Sequence, residues 1–537
     1  MPKYRQITTL LVIASSLAAQ ADLPESLLHY RPGDWISYPV LRYVSSVALG
    51  NEYVYFGSTG GILRYQFYEK FWDWPFTESD GLQNGFIHNL IYDFSTGFLW
   101  CTTDAGVSFR EPASEYWRNI SDAIPEKIDG IGVGNGYVWT KSRNTYHQID
   151  RITGFVWPSS EPEMKKDQVE WTEIKDSGID NRFFTDPPYM ILENGIQDEN
   201  FREYRFTDAV QDQFSNRWLS TWGAGAAFAK MDMLTLNLVQ TGPFAPDIQM
   251  MAWDKNGMWM GGLPDSEIAH GISYWNMIKN TWHYFEAAFL SGLRSDAVNA
   301  IAVDDPNIWF GTQNGLSKYN RDEDIWTTYS QQNNLWDERI TSLALDDSTL
   351  WVGTEYGINR VKLNGNIIQK IRDERLIHRH IFEIDTDPEG LWAATDRGIY
   401  RYLSEENQWH FMQGYGGMLT YTVTAVAVYD DEVWFGTDDG VEMYNKRSEQ
   451  WTGFPSAHFP TGARIQTILP DETAVWFGTD QGVLKYIREE ERWHTFTKKD
   501  GLLDNDVRWI LLDGDDIWFG TARGLTKFFW NAPYRVD

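Results

Sequence analysis

The stretch Trp434-Phe435-Gly436-Thr437-Asp438-Asp439-Gly440-Val441 is one copy of a phrase that recurs through this chain of 537 residues. Strong copies begin at Trp309, Trp351, Trp392, Trp434, Trp476 and Trp518, with successive spacings of 42, 41, 42, 42 and 42. Self-similarity at such a fixed period is typical of repeat architectures. The repeat therefore constrains the fold more strongly than composition does.

Looser copies of the phrase lie upstream, and with them the sequence contains 11 units. They are centred on Tyr55, Trp100, Trp139, Trp218 and Trp259. A second Trp follows 17 residues after the first in six units, at Trp72, Trp117, Trp326, Trp409, Trp451 and Trp493. The two Trp positions, which we call the first and second Trp columns, keep a constant spacing in these units. This constant spacing indicates that the units share the same internal structure.

Within one unit, short apolar segments alternate with turn residues. Ile340 to Leu345 predicts a first strand, Leu350 to Gly353 a second and Ile358 to Val361 a third, while the second-column Trp predicts a fourth. Short strands repeating at this period are typical of propeller blades. We therefore expect an all-β fold, a β-propeller of about 11 four-stranded blades in two lobes, with one large ring as the alternative.

The repeated residues have structural explanations. Trp supplies a large apolar surface for packing between blades, and its indole NH can still donate to an acceptor. The Gly that follows the Thr by three residues permits a backbone with positive φ. The framework residues are therefore not expected to bind a ligand.

The two ends of the chain are complementary. Trp35-Ile36-Ser37-Tyr38 resembles a fourth strand without its first three, and Arg535 stands where the last unit should have its second-column Trp. We predict that the N-terminal strand completes the C-terminal blade, because this removes an exposed sheet edge.

The formal charge of −30 argues against a nucleic-acid partner, which requires a basic surface. Many of the acids fall in predicted turns and are interpreted as solvated: Asp304-Asp305, Asp346-Asp347, Asp430-Asp431-Glu432 and Asp513 to Asp516. The nearest approach to a calcium loop runs from Asp385 to Gly390, but Asp396 occupies the position of the bidentate Glu. No metal and no cofactor is predicted.

The first residues resemble a secretory signal peptide, with Lys3 and Arg5 before an apolar run from Ile7 to Ala19 and small residues around Ala21. We expect cleavage near Ala21, a periplasmic or extracellular location, and no transmembrane segment in the mature chain. Cys101, the one cysteine, replaces the Phe of the phrase, so we expect a buried structural thiol.

The expected domains are a signal peptide at 1–21, irregular blades at 22–245 and regular blades at 246–537. Trp139 and Trp218 are 79 residues apart, nearly two periods. We predict an insertion near 158–188, with a degenerate twelfth blade as the alternative.

The phrase from Trp309 to Leu316, followed by Tyr319 and Trp326, resembles the two-component regulator propeller repeat. The opening from Asp34 through Asp80-Gly81-Leu82 is also similar to two-propeller proteins associated with type IX secretion. The resemblance implies a propeller outside the cytoplasm that binds saccharide-related ligands or other proteins.

Catalytic signatures such as a Gly-x-Ser-x-Gly elbow or a His-Glu-x-x-His motif are absent from the sequence. His378 and His380 are the one close His pair, and we interpret them as polar residues of a blade mouth. Enzymatic activity is left open, with a non-catalytic role favoured.

Positions that vary between units are the candidates for ligand contact, because the framework positions do not vary. The residue before each innermost strand is Ala297, Arg339, His380, Thr422, Arg464 or Asp506, and these should ring one channel mouth. The predicted ligand-binding residues are Trp336, Arg339, His380, Arg464, Arg508 and Trp509, because aromatic and guanidinium groups suit sugars and anions.

We therefore expect an exported non-catalytic binding or scaffold protein that recognises a glycan or a protein ligand at the channel mouth. One alternative is the sensory module of a split two-component system, which requires a separate membrane signalling or secretion partner. Another is a propeller polysaccharide lyase or hydrolase, which needs paired carboxylates in one mouth.

Overall fold

The computed structural model describes residues 30–112, 116–120, 124, 127–163, 166–173, 177–185, 189–264, 271–414, 422–437, 440–455 and 463–535. Within these residues every regular element is a β-strand apart from two three-residue 3₁₀ turns, Glu78–Asp80 and Gln331–Asn333. The predicted signal peptide lies outside the described residues. No helix in the described ranges has the length and apolar character needed to cross a membrane.

The chain forms two compact units. The first comprises residues up to Gly242 together with Lys499–Gly501, and the second comprises Pro243–Lys498 and Leu502–Asp537. Across the described residues the strands form eleven sheets, of which nine have four strands. The prediction of an all-β fold built from four-stranded blades is confirmed.

The first unit holds four sheets, each based on a four-stranded antiparallel meander. Their strands are β2 (Val44–Leu49), β3 (Tyr53–Ser58), β4 (Ile62–Gln66) and β5 (Phe71–Phe76); β6 (Ile87–Asp93), β7 (Phe98–Thr103), β8 (Gly106–Arg110) and β9 (Trp117–Ile120); β10 (Gly130–Val133), β11 (Tyr137–Ser142), β12 (Thr145–Asp150), β13 (Val156–Ser159) and β14 (Glu170–Trp171); and β15 (Phe184–Thr185), β16 (Met190–Leu192), β17 (Gly195–Gln197), β18 (Glu203–Gln211), β19 (Arg217–Thr221), β20 (Gly225–Lys230) and β21 (Thr235–Val239).

The irregular part of the first unit lies between β13 and β18. There the chain adds β14 to the innermost strand of the third sheet, and a β16–β17 hairpin pairs with the first residues of β18. Strand β15 pairs in parallel with β21 at the other edge of the fourth sheet. These short strands widen two blades without forming a separate meander among the described residues.

The second unit holds seven regular meanders. Their strands are β22 (Asp247–Asp254), β23 (Gly257–Leu263), β24 (Ile272–Asn276) and β25 (Thr281–Phe285); β26 (Val298–Asp304), β27 (Asn307–Thr312), β28 (Gly315–Asn320) and β29 (Ile325–Tyr329); β30 (Ile340–Asp346), β31 (Thr349–Thr354), β32 (Gly357–Lys362) and β33 (Ile367–Lys370); β34 (Ile381–Asp387), β35 (Gly390–Thr395), β36 (Gly398–Leu403) and β37 (Gln408–Met412); β38 (Val423–Tyr429), β39 (Glu432–Thr437), β40 (Gly440–Asn445) and β41 (Gln450–Pro455); β42 (Ile465–Pro470), β43 (Ala474–Thr479), β44 (Gly482–Ile487) and β45 (Arg492–Phe496); and β46 (Val507–Asp513), β47 (Asp516–Thr521) and β48 (Gly524–Phe529).

The seven sheets of the second unit close into a ring. Each first strand packs beside the first strand of the next sheet, and β46 of the last sheet packs beside β22 of the first. Strand β1 (Trp35–Tyr38) is the fourth strand of the last sheet, whose order is β1-β48-β47-β46. The prediction that the N-terminal strand completes the C-terminal blade is confirmed.

The Trp of the repeat phrase lies between neighbouring sheets. Trp392 is fully buried in a cluster with Val423, Val426 and Phe435 of the next sheet. The indole NH of Trp351 donates to Asp346 at 3.0 Å and that of Trp434 to Glu432 at 2.9 Å. Some turn acids are therefore acceptors for the framework in addition to being solvated.

The two Gly residues of the phrase have different roles. The second, as at Gly315, has a φ of +117°, which confirms the prediction of a left-handed turn. The first, as at Gly311, lies in a strand where an added Cβ would stand 2.6 Å from Cγ2 of Ile340 in the next sheet. Close packing between sheets therefore requires the first Gly, and turn geometry requires the second.

Candidate functional site

The central channel of the second unit is lined by residues that leave the regular strand ladder. Each of the seven first strands has a register shift near its start, as between Val298 and Ala300 in β26 and between Val507 and Trp509 in β46. Such a bulge re-aims the extra side chain. The seven bulged residues are Gln249, Asn299, Thr341, Phe382, Thr424, Gln466 and Arg508.

All seven bulged residues, which we call the bulge ring, line one cavity of about 190 Å³. The next residue along several strands lines the same cavity, namely Met250, Ala300, Ser342, Glu383 and Trp509. The bulge ring is dominated by amide and hydroxyl groups, with one aromatic ring and one guanidinium. The bulge ring therefore presents several kinds of hydrogen-bonding group to the channel, each from the equivalent position of a first strand.

Part of the bulge ring holds the blades together. The amide of Asn299 donates to the carbonyl of Ile340 at 2.8 Å, and the hydroxyl of Thr424 donates to the carbonyl of Ile465 at 2.7 Å. In both cases the acceptor begins the first strand of the following sheet. Asn299 and Thr424 therefore hold neighbouring sheets together. The other five members of the bulge ring are the candidates for ligand contact.

Arg508 is the centre of a polar network at the mouth. Its Nη2 atom lies 2.7 Å from the carboxylate of Asp506 and 3.8 Å from that of Asp247. Gln466 donates to Asp506 at 2.7 Å and Gln249 donates to Asp247 at 2.7 Å. The network therefore spans the last two sheets and the first, where the ring closes.

The two carboxylates of this network differ in their surroundings. Burial raises the pKa of Asp247, and the nearby charge of Asp506 adds to that effect, while Arg508 and the hydrogen bond from Gln249 oppose it. Because both carboxylates contact one guanidinium nitrogen, their oxygens lie within about 6.5 Å of each other, the sum of the two distances. Two carboxylates therefore lie around one guanidinium nitrogen at this mouth.

Three polar atoms of cavity-lining residues have no hydrogen-bond partner within the described part of the chain. They are Oγ1 of Thr341, Nε of Arg508 and Nε1 of Trp509. Buried polar groups are normally paired, and an unpaired one costs about 1–3 kcal/mol. Donors left unpaired beside a cavity are suited to pairing with a ligand.

Glu383 joins two blades from inside the channel. Its Oε2 atom accepts from the backbone NH of Val426 at 2.8 Å, as the hydroxyl of Ser342 accepts from Ile384 at 2.9 Å one blade earlier. Burial, with a further contribution from the charge of Asp385, raises the pKa of Glu383 to about 8. At neutral pH this side chain is therefore largely a neutral carboxylic acid.

The predicted site residues fall into two groups. Arg508 and Trp509 line the cavity. Trp336 instead packs in the loop before β30, where its Nε1 donates to the carbonyl of Ile371 at 3.2 Å and Lys370 lies 4.7 Å from its ring. Those contacts give Trp336 a structural role.

The remaining predicted residues lie around the mouth without lining the cavity. Arg339 is half exposed and pairs with Glu355 at 2.7 Å. The backbone of Arg464 donates to Asp480 at 3.0 Å, and its side chain is exposed. His380 stacks on Phe382 at 4.2 Å, and burial lowers its pKa.

Sequence reasoning missed most of the bulge ring because it assumed a regular first strand. Counting back from the first Trp column led to the residue before each first strand, such as Arg339. The bulged residue lies two positions further along the chain, as at Thr341. Asp506 was identified in this way, and its partner Asp247 is the equivalent residue of the first sheet. The available signal was a variable residue ten positions before each Trp of the second unit, polar in six of the seven sheets.

Neither candidate for metal binding assembles in the structure. The Oδ1 atom of Asp387 accepts the backbone NH groups of Glu389 and Gly390, and its Oδ2 accepts from Trp392. His378 packs edge-on against Tyr356 while His380 stacks on Phe382. In the described ranges no group of three or more His, Cys, Asp or Glu side chains is placed to hold a metal.

The first unit has a larger cavity, of about 310 Å³, around Arg64 and Asp73. Its ionic groups are already engaged: Arg64 pairs with Asp73 at 3.1 Å and lies 4.0 Å above Phe76. Asp80 caps a 3₁₀ turn through the backbone NH of Thr77 at 2.8 Å. The channel of the second unit is the better candidate despite its smaller volume, because each of its seven sheets contributes a side chain to one cavity.

No protein-family model matches the chain, and no curated protein matches it. Among solved structures, PorZ, an essential surface component of the type IX secretion system of Porphyromonas gingivalis, aligns with a TM-score of 0.56 and 14% identity. That alignment covers 93% of this chain and 87% of PorZ. It shows a shared fold.

The extracellular domains of two putative hybrid two component systems of B. thetaiotaomicron are also similar, each at 16% identity. Their TM-scores are 0.48 and 0.45, with 92% and 91% of this chain covered and 71% and 81% of theirs. PorZ is associated with type IX secretion, as are the proteins that the opening of the chain resembles. The chain is thus a multi-blade β-propeller, similar in fold to PorZ.

Proposed function

We propose that this protein is an exported, non-catalytic binding propeller, and that the channel of its second unit receives a sugar residue or a polar group of a protein ligand. The observation that carries the proposal is the bulge ring, in which seven blades present side chains of five residue types, six of the seven polar, to one cavity. Framework residues repeat from blade to blade, whereas these residues do not. Variation at a shared position is typical of a recognition surface on a repeat scaffold.

The chemistry of the lining favours a neutral ligand with several hydroxyl or amide groups. Gln249 and Gln466 can both donate and accept, and Arg508 and Trp509 keep unpaired donors. Asp247 and Asp506 share the guanidinium of Arg508, so a strongly anionic ligand is disfavoured at this part of the cavity. A cavity of about 190 Å³ accommodates one sugar ring or one polar side chain at a time.

The location follows from the predicted signal peptide and remains a proposal. A periplasmic or extracellular protein meets glycans and secreted proteins directly. A separate membrane protein for signalling or secretion would act as a partner of the propeller. The sensory alternative differs from the favoured one only in requiring that partner.

The test is a glycan and metabolite binding screen on the chain from Asp22 onward, followed by calorimetry on each hit. Trp509→Phe removes one donor and keeps the ring, so we expect about tenfold weaker binding, the effect of one lost hydrogen bond to a polar ligand. Trp336→Phe is the matched control, because Trp336 packs outside the cavity. Equal affinity of the wild-type protein and Trp509→Phe would place the ligand elsewhere.

Glycoside hydrolysis is the second candidate, favoured by the proximity of Asp247 and Asp506. Retaining glycosidases hold two carboxyl groups about 5–5.5 Å apart, one to protonate the leaving oxygen and one to attack the anomeric carbon. Asp247, with its raised pKa, would be the acid and Asp506 the nucleophile. Release of reducing ends that is abolished in both Asp247→Asn and Asp506→Asn would establish this activity, and its absence with binding intact would exclude it.

A further inference from the structure

Three turns of the first unit carry exposed aromatic side chains. Tyr68 follows β4 and is 60% exposed, Phe94 follows β6 and is 64% exposed, and Phe214 follows β18 and is 66% exposed. Large apolar residues are normally buried, and contiguous exposed patches mark interaction sites. Three such residues from three different sheets are unlikely to share one location by chance.

These residues line a single groove of about 220 Å³. Its lining consists of Leu49, Gly50, Asn51, Phe67, Tyr68, Phe94, Asp212, Gln213 and Phe214, which we call the turn groove. Phe67 packs on Tyr68 with ring centroids 4.5 Å apart, and Phe94 packs edge-on against Tyr92 at 5.1 Å. The rings are thus held in place by packing while their outer faces stay exposed.

A turn of the third sheet also exposes apolar side chains. Ile152 and Phe155, in the turn after β12, are both 60% exposed. Arg118 donates to the carbonyl of Ile152 at 3.0 Å, which fixes that turn against the second sheet. Arg151 pairs with Asp93, the residue before Phe94, at 3.3 Å. The second and third sheets therefore present their apolar turns side by side.

The blade fold does not require aromatic residues in these turns. In four sheets of the second unit the turns between third and fourth strands are strongly polar, namely Arg321 to Asp324, Ser404 to Asn407, Lys446 to Glu449 and Arg488 to Glu491, whereas the turn after β24 exposes Ile278. The corresponding turns of the first unit contain Phe67-Tyr68 and Ile152 with Phe155. The blade fold therefore tolerates fully polar turns at these positions, so it does not by itself explain Phe67 and Tyr68.

Charge around the turn groove is acidic. Glu52 and Glu69 are exposed in the turns that form it, and Asp212 is part of the lining. Lys70 is a basic residue of the same turns. Asp212 accepts from the backbone of Phe214 at 2.9 Å and therefore stays beside the ring. A partner that covers the groove would need apolar contact together with positive charge.

We propose that the turn groove docks a basic segment of a partner protein, which inserts one aromatic or large aliphatic side chain between Tyr68, Phe94 and Phe214. The groove volume matches one such side chain, and the acidic rim attracts the flanking Lys or Arg residues. A membrane surface fits less well, because bacterial lipid surfaces are commonly anionic and the protein carries a formal charge of −30. This surface is separate from the channel of the second unit and does not depend on the function proposed for it.

The test uses a synthetic peptide, Lys-Lys-Phe-Lys-Lys with a fluorinated Phe, observed by fluorine NMR as the full chain is titrated into it. Matched peptides replace Phe with Ala, carrying the fluorine label on an N-terminal acetyl group, or replace every Lys with Glu. The protein variants are Phe214→Ser and Phe94→Ser. Phe201→Ser is the control, because Phe201 is 79% exposed in the same unit and does not line the groove.

We expect saturable binding of the basic Phe peptide that weakens with added salt and falls at least about tenfold in Phe214→Ser and Phe94→Ser. Binding should be unchanged in Phe201→Ser. The proposal is overturned by no binding, by equal binding of the Ala or Glu peptide, or by an equal loss in the control. Self-association that Phe214→Ser abolishes, or co-sedimentation with phosphatidylglycerol vesicles that it abolishes, would also overturn it, by assigning the groove to a second copy or to lipid.

Discussion

The Nη2 atom of Arg508 lies 3.8 Å from the carboxylate of Asp247. Arg508 belongs to the last sheet of the second unit and Asp247 to the first, so this contact crosses the position where the ring closes. Asp506 contacts the same nitrogen at 2.7 Å. One cation therefore compensates two carboxylates at the edge of the candidate ligand cavity.

Replacing Arg508 with Gln should destabilise the protein at neutral pH. The two acids would remain close together without a counter-charge, and we expect a loss of about 1–3 kcal/mol, less than for a fully buried pair because these side chains are partly exposed. The loss should shrink toward about pH 4, where carboxylates begin to protonate. Urea unfolding at both pH values measures it.

Arg339→Gln is the control for that experiment, because Arg339 pairs with Glu355 while its own side chain is 51% exposed. We expect a change below about 1 kcal/mol in this variant. An equally small loss for Arg508→Gln at neutral pH would show that the network does not stabilise the ring.

Glu383 should make stability fall as pH rises. Its pKa is raised from 4.5 to about 8, so between these values the folded protein retains a proton that the unfolded chain has released. The contribution of Glu383 to the free energy of unfolding therefore decreases through this window. Glu383→Gln should equal the wild type near pH 5 and exceed its stability by roughly 1–3 kcal/mol at pH 8.

The measurement is the free energy of urea unfolding at both pH values, with the exposed Glu405→Gln as the control. Gln keeps a carbonyl oxygen that can accept from Val426, so the blade contact is preserved. A stability difference that does not change with pH would contradict the assigned protonation of Glu383.

Two equivalent Trp residues should respond differently to loss of the indole NH. Trp351 donates to Asp346 at 3.0 Å, whereas Nε1 of Trp309 has no partner among the described residues. Both Trp→Phe changes remove similar volume, but Trp351→Phe also leaves a carboxylate without its donor. We expect Trp351→Phe to cost about 1–2 kcal/mol more than Trp309→Phe in urea unfolding. Equal losses of stability would mean that the hydrogen bond from Trp351 to Asp346 does not contribute to the free energy of unfolding.

The first Gly of the phrase should not tolerate a methyl group. Gly311→Ala places its Cβ 2.6 Å from Ile340 of the next sheet, so the sheets must separate or distort. We expect a loss of about 1–3 kcal/mol from overpacking. Gly514→Ala is the control, since its added Cβ meets nothing within 4 Å and its φ of +60° is the one unfavourable feature. A comparable loss in both variants would assign the effect to backbone conformation.

Cys101 should be unreactive while the protein is folded. The side chain is buried in β7, and burial raises the pKa of its thiol, which suppresses the thiolate that reacts. We expect negligible modification by a disulfide reagent in buffer and one thiol per chain in urea. Rapid modification of the native protein would show that the first unit opens locally.

The regular parts of the fold could be predicted from the sequence for a physical reason. Each blade packs against the next through a Trp and a close-approach Gly, so these residues recur with the period of the blade. The same reasoning located β1, because a lone strand and an incomplete last unit leave two unpaired edges. Arg508 and Trp509 were predicted as ligand contacts because they lie outside both Trp columns, and both line the cavity.

The remainder of the candidate site was not accessible in this way. The bulge at the start of each first strand shifts the side-chain alternation by one residue, and a pattern counted from Trp309 or Trp518 does not reveal the shift. Trp336, which lies outside both Trp columns, donates its indole NH to the carbonyl of Ile371, a contact that its position in the sequence does not reveal. The exposure and the hydrogen bonds of a side chain depend on the neighbouring blades. The sequence of one unit therefore does not predict which of its polar or aromatic residues line the cavity.

By itself, the sequence determined the repeat, the blade, the framework side chains and the pairing of the first strand with the last sheet. These features rest on local strand patterns and on contacts that every unit repeats. Tertiary structure alone decided which polar residues meet in the channel and that Tyr68, Phe94 and Phe214 share one groove. Those groupings join residues from separate blades, and their meeting depends on how the sheets pack around each unit rather than on any spacing along the chain.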